Sequence, residues 1–227
     1  MDARTRKIQK AGLYSKQKTL EWISKKKKEL GDRATWLIGN HDLTYLTCYV
    51  ENFALNRATQ HFANWNCICS GFTRKGARKF SRYVDEEWLF GLELAVKVGK
   101  FTVSHAGFHP KQFAPGVNIK RAIKESVLEW RGDRSGGYLR HELPWIARCG
   151  KVRKGQSEVG SPIWLDFWEE FEPIEGINQV VGHTGCPHFY VQHNHTEHSK
   201  NFCIDHSQQG CAVINGGKLI KHIQIYH

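Results

Sequence analysis

The sequence predicts an α/β (α+β) fold in which short buried strands alternate with helices. Three segments combine an apolar run with a small residue and a histidine, and each predicts a strand that ends in a turn: ATWLIGNHD (34–42), FTVSHAG (101–107) and QVVGHT (179–184). Their apolar runs are too short for helices of their own. Helices are predicted at residues 16–30 and 119–130. Strands and helices in alternation indicate packed layers of both kinds.

The composition predicts one folded domain that spans residues 1–227. Hydrophobic residues make up 40% of the chain, with 8 Trp, 12 Phe and 7 Tyr, which argues against disorder. The sequence has no apolar run near ~18 residues, so we expect no membrane helix, no signal peptide and no membrane partner. The 7 cysteines lack a paired C-x-x-C spacing, which favours a reduced, cytoplasmic setting over a disulfide scaffold.

The charge predicts attraction to polyanions. The formal net charge is +11, and the cations are concentrated in residues 4–28, 74–82 and 148–154. Nucleic acid, nucleotides and phosphorylated protein are all partners of this kind. Runs of cations also occur as solvated faces without a partner, so the charge favours an anionic substrate without identifying it.

The segment at 34–42 has the pattern of a strand that delivers a site. Gly39 allows a sharp turn after the apolar run, and Asn40, His41 and Asp42 follow it at the carboxyl edge of the strand. An Asn carbonyl can ligate a hard metal, a His can donate a proton, and an Asp can orient that imidazole. The alternative is a turn that begins a helix, with Asn or Asp as its cap.

The first predicted helix has apolar residues at helical spacing and cations in its last turns. Leu20, Ile23 and Leu30 lie on one side, Lys25 to Lys28 complement the negative end of the helix dipole, and Gly31 ends the helix. A further helix is predicted at 43–53, directly after the Asn-His-Asp turn. Residues 16–60 therefore predict a helix, strand, helix unit.

The remaining chain gives weaker patterns. Residues 93–98 and 100–104 alternate as a hairpin around Gly99. The segment 132–160 is rich in Gly and Arg and predicts an irregular insertion near the site. From Gln179 onward, short β-rich segments and the turn at 215–217 predict a second, antiparallel sheet.

A histidine-rich turn invites a zinc site. Its candidate ligands are Cys186, His188, His193, His195 and His198. The turn lacks a second ligand pair at proper spacing, so a solvated turn is the preferred interpretation.

The motifs GNHD, SHAG and GHT, in this order, resemble those of the calcineurin-like metallophosphoesterase superfamily. The likeness is to phage-type and bacterial serine/threonine protein phosphatases and to diadenosine tetraphosphatases. It extends over residues 34–225, and includes 92–107, 163–168 and 203–219. It implies a β-sandwich flanked by helices.

The resemblance implies a residue role at each matching position. Asn40, His105 and His183 match ligands of the second of two metal ions, His41 the acid that protonates the leaving oxygen, and Asp42 the residue that orients this acid. The ions would be divalent, Mn²⁺ by preference with Fe, Zn or Ni as alternatives. The implied reaction is hydrolysis of a phosphomonoester or phosphoanhydride by a metal-activated hydroxide, on a phosphorylated protein or a nucleotide.

The chain departs from the family in two motifs. The Asp-x-His and Gly-Asp-x-x-Asp-Arg motifs, which supply the first metal site, are absent, and only Asp2 resembles a remnant of the second. We therefore expect a phosphatase that lacks its first strands, one piece of a split protein with an N-terminal complementing fragment, or a degenerate relative that binds anionic partners such as nucleic acid. The family's phosphate-clamping arginines match no position firmly; Arg4, Arg131 and Arg134 are the candidates.

Overall fold

A computed structural model describes residues 16–44, 91–132, 145–186, 192–193, 195–205, 210–215 and 218–224. Helix α1 spans Lys16–Leu30, as predicted, and passes into a 3-10 turn at Gly31–Arg33. Lys27 and Lys28 lie in its last turn, where cations stabilise the helix end. Gly31 has φ of +50°, a backbone conformation that favours glycine.

The main sheet has five strands in the order β1-β2-β3-β5-β4. Its strands are β1 Ala95–Val98, β2 Phe101–Ser104, β3 Asn178–Val181, β4 Gln192–His193 and β5 Asn201–Cys203. The predicted hairpin around Gly99 is confirmed, because β1 and β2 pair antiparallel with Val98 opposite Phe101. Strand β2 then pairs parallel with β3, and β3 parallel with β5. The sheet is therefore mixed.

The predicted antiparallel sheet from Gln179 onward is only partly correct. Strands β3 and β5 belong to the mixed sheet, where β3 is parallel to both β2 and β5. Parallel pairing needs long connections between strands, and local alternation in the sequence does not reveal it. In the described part of this region, β6 Gly210–Asn215 and β7 Lys218–Gln224 form a separate antiparallel pair, and β4 pairs antiparallel with β5 within the mixed sheet. Residues 216–217 of the predicted turn lie outside the described part.

Helix α2 spans Ile119–Gly132, two residues longer than predicted. The side chain of Asn118 accepts a hydrogen bond from the Arg121 N–H at 3.1 Å, which caps the helix. Ile123 is buried and Val127 packs against the same core. The amphipathic pattern of this segment is thus satisfied by packing on the sheet.

The core consists of two apolar clusters. The larger one joins Ile38, Leu92, Leu94, Phe108 and Ile123 with further residues of the 145–177 segment. The smaller one lies beneath the ends of β3 and β5 and includes Leu165, Phe171, Val181 and Cys203. Burial of this kind contributes about 25 cal/mol for each Å² of apolar surface.

These observations give an α+β fold with a mixed sheet. No helix of the described segments combines the length and the apolar character needed to cross a membrane. The predicted insertion at 132–160 is irregular where it is described, with 3-10 turns at Trp145–Ala147 and Lys151–Arg153. Residues 133–144 of that insertion and 45–53 of the helix predicted after the Asn-His-Asp turn lie outside the described residues.

Candidate metal centre

Two of the three predicted histidine turns meet at one edge of the mixed sheet. Strands β2 and β3 are parallel neighbours, with Thr102 opposite Gln179, so their carboxyl ends lie side by side. His105 directly follows β2. Gly182 directly follows β3, and His183 is the next residue. The Gly182 N–H donates to the carbonyl of His105 at 2.8 Å, which ties the two turns together.

The third turn reaches the same place through a short extended segment. The Ile38 N–H donates to the Glu93 carbonyl at 2.9 Å, and the Glu93 N–H donates to the Trp36 carbonyl at 2.8 Å. This pairing fixes the chain just before Gly39. The strand predicted at 34–42 is therefore only partly correct, because the chain there forms one isolated parallel bridge, between Leu37 and Glu93, and no strand.

Three ligand-type atoms converge at this edge. Nε2 of His105 lies 3.1 Å from Oδ1 of Asn40 and 3.1 Å from Nδ1 of His183. The two imidazole rings are tilted against each other with centroids 5.0 Å apart. Residues separated by 65 and 78 positions in the chain are thus brought within contact.

Both histidines are neutral at physiological pH. Burial lowers the pKa of His105 to about 4, although the nearby Asp205 carboxylate opposes the shift. Burial and the neighbouring His105 lower the pKa of His183 to about 3. A neutral imidazole keeps one nitrogen lone pair, which is the form that binds a metal ion. Metal binding by His105 Nε2 and His183 Nδ1 requires the tautomers that carry their protons on the other ring nitrogen.

The arrangement fits a divalent cation. Neighbouring ligands at right angles on an ion, each at about 2.1 Å, are separated by about 3.0 Å. The two separations of 3.1 Å around His105 match this spacing. In addition, Nε2 of His183 is buried without a hydrogen-bond partner, which leaves Nδ1 as the nitrogen that faces the cluster. Imidazole nitrogens with an amide oxygen suit Mn²⁺, Fe²⁺, Ni²⁺ or Zn²⁺.

The three converging side chains, Asn40, His105 and His183, form a candidate metal-ligand cluster that contains no charged ligand. Across the described segments, there is no group of three or more His, Cys, Asp or Glu side chains that could hold a metal ion. The centre has two histidines and one neutral amide instead. Neutral ligands offset little of the desolvation of a cation, so Asn40, His105 and His183 alone predict modest affinity.

The absence of a side chain at Gly39 leaves space for the ring of His105. A Cβ atom at this position would lie 2.9 Å from Cε1 and 3.0 Å from Nδ1 of His105. Carbon atoms do not approach this closely, so any side chain here would displace the ring. The glycine predicted to allow a turn therefore also allows the imidazole to pack against the backbone.

Residues 40–44 begin a helix, so the helix start considered as the alternative for the Asn-His-Asp turn is present, but the residue before the helix is Gly39 rather than an Asn or Asp cap. Oδ2 of Asp42 accepts a hydrogen bond from the Gly39 N–H at 2.9 Å, which is one half of a capping box. Burial raises the pKa of Asp42, while this hydrogen bond opposes the shift. The described contact of Asp42 is thus with the helix start.

His41 lies at the solvent-exposed rim of the cluster. A charge on His41 would lower the pKa of both His105 and His183, which shows that it lies near both rings. An exposed imidazole close to the cluster has the access that proton exchange with water requires.

The sequence analysis missed Arg153. Its Nη2 donates to Oδ2 of Asp166 at 2.7 Å and to Oγ1 of Thr184 at 3.1 Å. Its Nε is buried without a partner, and its charge lowers the pKa of His183. A guanidinium with an unused N–H thus lies beside the cluster. Cation richness at 148–154 was the available signal, but it does not single out position 153.

Asp205 was missed as well. It follows β5, and its carbonyl accepts a hydrogen bond from the Cys186 N–H at 2.8 Å. Its carboxylate supports the charged form of His105. The residue therefore brings negative charge close to an otherwise neutral donor set.

His183 has a backbone φ of +68°. This left-handed conformation is uncommon for residues other than glycine, although His, Asn and Asp adopt it more often than most. The conformation reverses the chain directly after β3. Strain of this kind is often found at functional sites.

The histidine-rich turn lies apart from this cluster. His195 and His198 are exposed, Nδ1 of His195 accepts a hydrogen bond from the Asn201 N–H at 2.9 Å, and His198 lies near Glu175. This agrees with the solvated turn preferred above. His188, and the side chain of His193, lie outside the described part.

The remaining predicted site residues cannot be compared with the cluster. Arg4, Arg134 and Asp2 lie outside the described residues, and the side chain of Arg131 is not described either.

Comparisons of the chain with protein-family models, with curated proteins and with solved structures gave no match.

Proposed function

We propose that this protein is a metal-dependent phosphoesterase of the calcineurin-like kind, with its cation held by Asn40, His105 and His183. The observation that carries the proposal is the spacing around His105, whose Nε2 lies 3.1 Å from both other ligand atoms. The three motifs that resemble this superfamily are the same ones that contribute to the cluster. The β-sandwich of that superfamily is the proposed finer architecture of the α+β fold.

A bound divalent cation supplies a Lewis acid for a phosphoryl oxygen and a water of lowered pKa. His41 is proposed to protonate the leaving oxygen, because it is exposed at the rim and lies near both ligand histidines. Asp42 secures the start of the helix that carries His41. Arg153, whose side chain is about one-third exposed, is proposed to hold a phosphoryl oxygen with its guanidinium.

The proposed substrate is a phosphomonoester or phosphoanhydride, on a phosphorylated protein or a nucleotide. The net charge of +11 would attract such a substrate before it reaches the cluster. Mn²⁺ is the preferred ion, with Fe, Zn and Ni as alternatives. A second ion would need carboxylate ligands beyond the donor set described here.

The alternative function is binding of polyanions, such as nucleic acid, without catalysis. The charge favours it, and the absence of carboxylates among the three converging ligands is consistent with it. The two functions differ in their dependence on metal. Polyanion binding falls steeply with salt and is indifferent to chelation, whereas hydrolysis requires the ion.

The test is calorimetric titration of the purified chain with Mn²⁺, followed by p-nitrophenyl phosphate turnover on the same sample. Wild type is expected to bind Mn²⁺ and to release p-nitrophenol. His105→Ala should abolish both, whereas His41→Ala should retain the binding and lose turnover of phenyl phosphate, whose leaving oxygen needs a proton, by at least about tenfold. His198→Ala, in the solvated turn, is the matched control and should behave as wild type. Full turnover in His41→Ala would remove the role assigned to that residue, and no Mn²⁺ binding in wild type would contradict the proposal for this chain.

A further inference from the structure

A groove lies between helix α2 and the β1-β2 hairpin, lined by residues other than those of the metal centre. Its volume is about 490 Å³, within the range of ligand-binding sites. The lining includes the Ala95–Lys97 stretch and Thr102 of the sheet, Gly176 and Ile177, and one face of α2. The groove therefore forms a second concave surface.

The floor of the groove is apolar. Ile123 and Ile177 are buried there, and Val127 is half-buried beside them. Leu128 continues the apolar surface outward with 52% of its area exposed. A ligand that covers a leucine this exposed at the mouth of an apolar groove is stabilised there, because apolar surface is removed from water.

Three ammonium groups surround this floor. Lys120 and Lys124 are one helical turn apart on α2, so they share a face, and Lys97 approaches from β1. In the described part of the chain, none of these lysines forms an ion pair with a carboxylate. Burial and the charge of Lys120 both lower the pKa of Lys97, so the site is electrostatically unfavourable as it stands. Anions would relieve that repulsion.

We propose that this groove binds an acidic, amphipathic peptide segment of a partner protein. The apolar floor fits aliphatic or aromatic side chains at helical spacing, and the lysines fit carboxylates that flank them. The groove is open along one side, so a ligand with a polar outer face suits it better than a fully apolar one. This inference does not depend on the metal centre or on catalysis.

The test is selection of binders from a displayed library of random 12-residue peptides on the immobilised full chain. The selected peptides are then synthesised with a fluorophore, and their affinity is measured by fluorescence polarisation. We expect sequences that combine Glu or Asp with Leu, Ile or Phe at helical spacing. Recovery of no binder, or of binders without acidic residues, would overturn the proposal.

Variants then locate the binding. Lys124→Glu reverses a charge of the groove and should weaken binding at least tenfold, and Leu128→Ser should also weaken it, since both residues line the groove. Neither is a core residue, because Lys124 and Leu128 are exposed. Arg121→Glu is the matched control: it makes the same charge change on the same helix, at a residue that pairs with Glu125 and does not line the groove.

Equal weakening by Lys124→Glu and Arg121→Glu would mean attraction to the overall charge and would overturn a defined site. Unchanged affinity in both groove variants would place the peptide elsewhere, with the same consequence. Vesicles of phosphatidylcholine with phosphatidylserine provide the remaining comparison. Binding to these vesicles that is lost in Lys124→Glu, without any peptide binder, would assign the groove to a membrane surface instead.

Discussion

Gly39 is the residue at which packing and the proposed chemistry are most closely coupled. Gly39→Ala places a Cβ 2.9 Å from Cε1 of His105, so the ring must shift from the position in which it contacts Asn40 and His183. We expect at least about a tenfold loss of Mn²⁺ affinity, because a ligand displaced by a few tenths of an ångström no longer meets the geometry of the ion. Calorimetric titration measures the change.

Gly185→Ala is the matched control for that substitution. Gly185 lies in the turn after β3 that carries His183. A Cβ atom at Gly185 meets no atom within 4 Å, and its carbonyl can still accept a hydrogen bond from Nε1 of Trp168. Its Mn²⁺ affinity should equal that of wild type. Equal losses in both variants would show that the effect at Gly39 is not specific to the His105 ring.

The two buried histidines also predict how stability depends on pH. Their pKa values are lowered to about 4 for His105 and about 3 for His183, from an ordinary value of 6.5. At pH values between the ordinary pKa of 6.5 and the lowered pKa values, the unfolded chain binds more protons than the folded one. The free energy of unfolding therefore falls as the pH falls from 6.5 toward 4. The metal-free protein should lose about 2 kcal/mol or more over this interval.

Urea unfolding with a chelator at several pH values measures this loss. The double variant His105→Gln, His183→Gln lacks both titrating groups and should show a much weaker decline. His198→Gln, which changes an exposed histidine, should keep the wild-type decline. A double variant that declines as steeply as wild type would assign the pH dependence to other groups.

At the scale of elements, Gln179 joins β3 to the segment that follows β2. It is fully buried, its Oε1 accepts from the Phe108 N–H at 2.8 Å, and its Nε2 donates to the Phe108 carbonyl at 3.0 Å. Gln179→Leu leaves both backbone groups buried without partners and should cost about 2–4 kcal/mol of unfolding free energy. Chemical denaturation at pH 7.5 measures it.

Gln179→Glu provides the comparison for that clamp. A protonated Glu retains one acceptor and one donor, whereas an ionised Glu retains acceptors only. Measured relative to wild type at each pH, Gln179→Glu should be less destabilised at pH 5 than at pH 8. The same deficit at both pH values would mean that the pair of hydrogen bonds to Phe108 is not what the glutamine contributes.

For the whole molecule, the net charge of +11 predicts a salt-dependent affinity for polyanions whichever function holds. Binding of a fluorescent single-stranded 20-mer should weaken by at least about tenfold between 50 and 200 mM NaCl. Addition of a chelator should leave this binding unchanged while it abolishes phosphatase turnover. A loss of oligonucleotide binding on chelation would instead place the nucleic acid at the metal centre.

Local patterns predicted several elements well. Helix α1, the hairpin around Gly99 and helix α2 follow from amphipathic spacing, a glycine turn and alternation, all of which act between near neighbours. The direction of β3 and β5 was not accessible in this way, since parallel pairing is decided by the connections between strands. The parallel pairing of β3 with β5 was therefore established only by the structure.

For the candidate site too, the sequence predicted the local features but not the contacts between distant residues. That Asn40, His105 and His183 each follow a short apolar run can be read from the sequence, because residue type and strand-turn pattern are local properties. That their ligand atoms meet at 3.1 Å, with Arg153 and Asp205 near them, depends on the folded chain, because parallel pairing of β2 with β3 brings distant turns to one edge of the sheet.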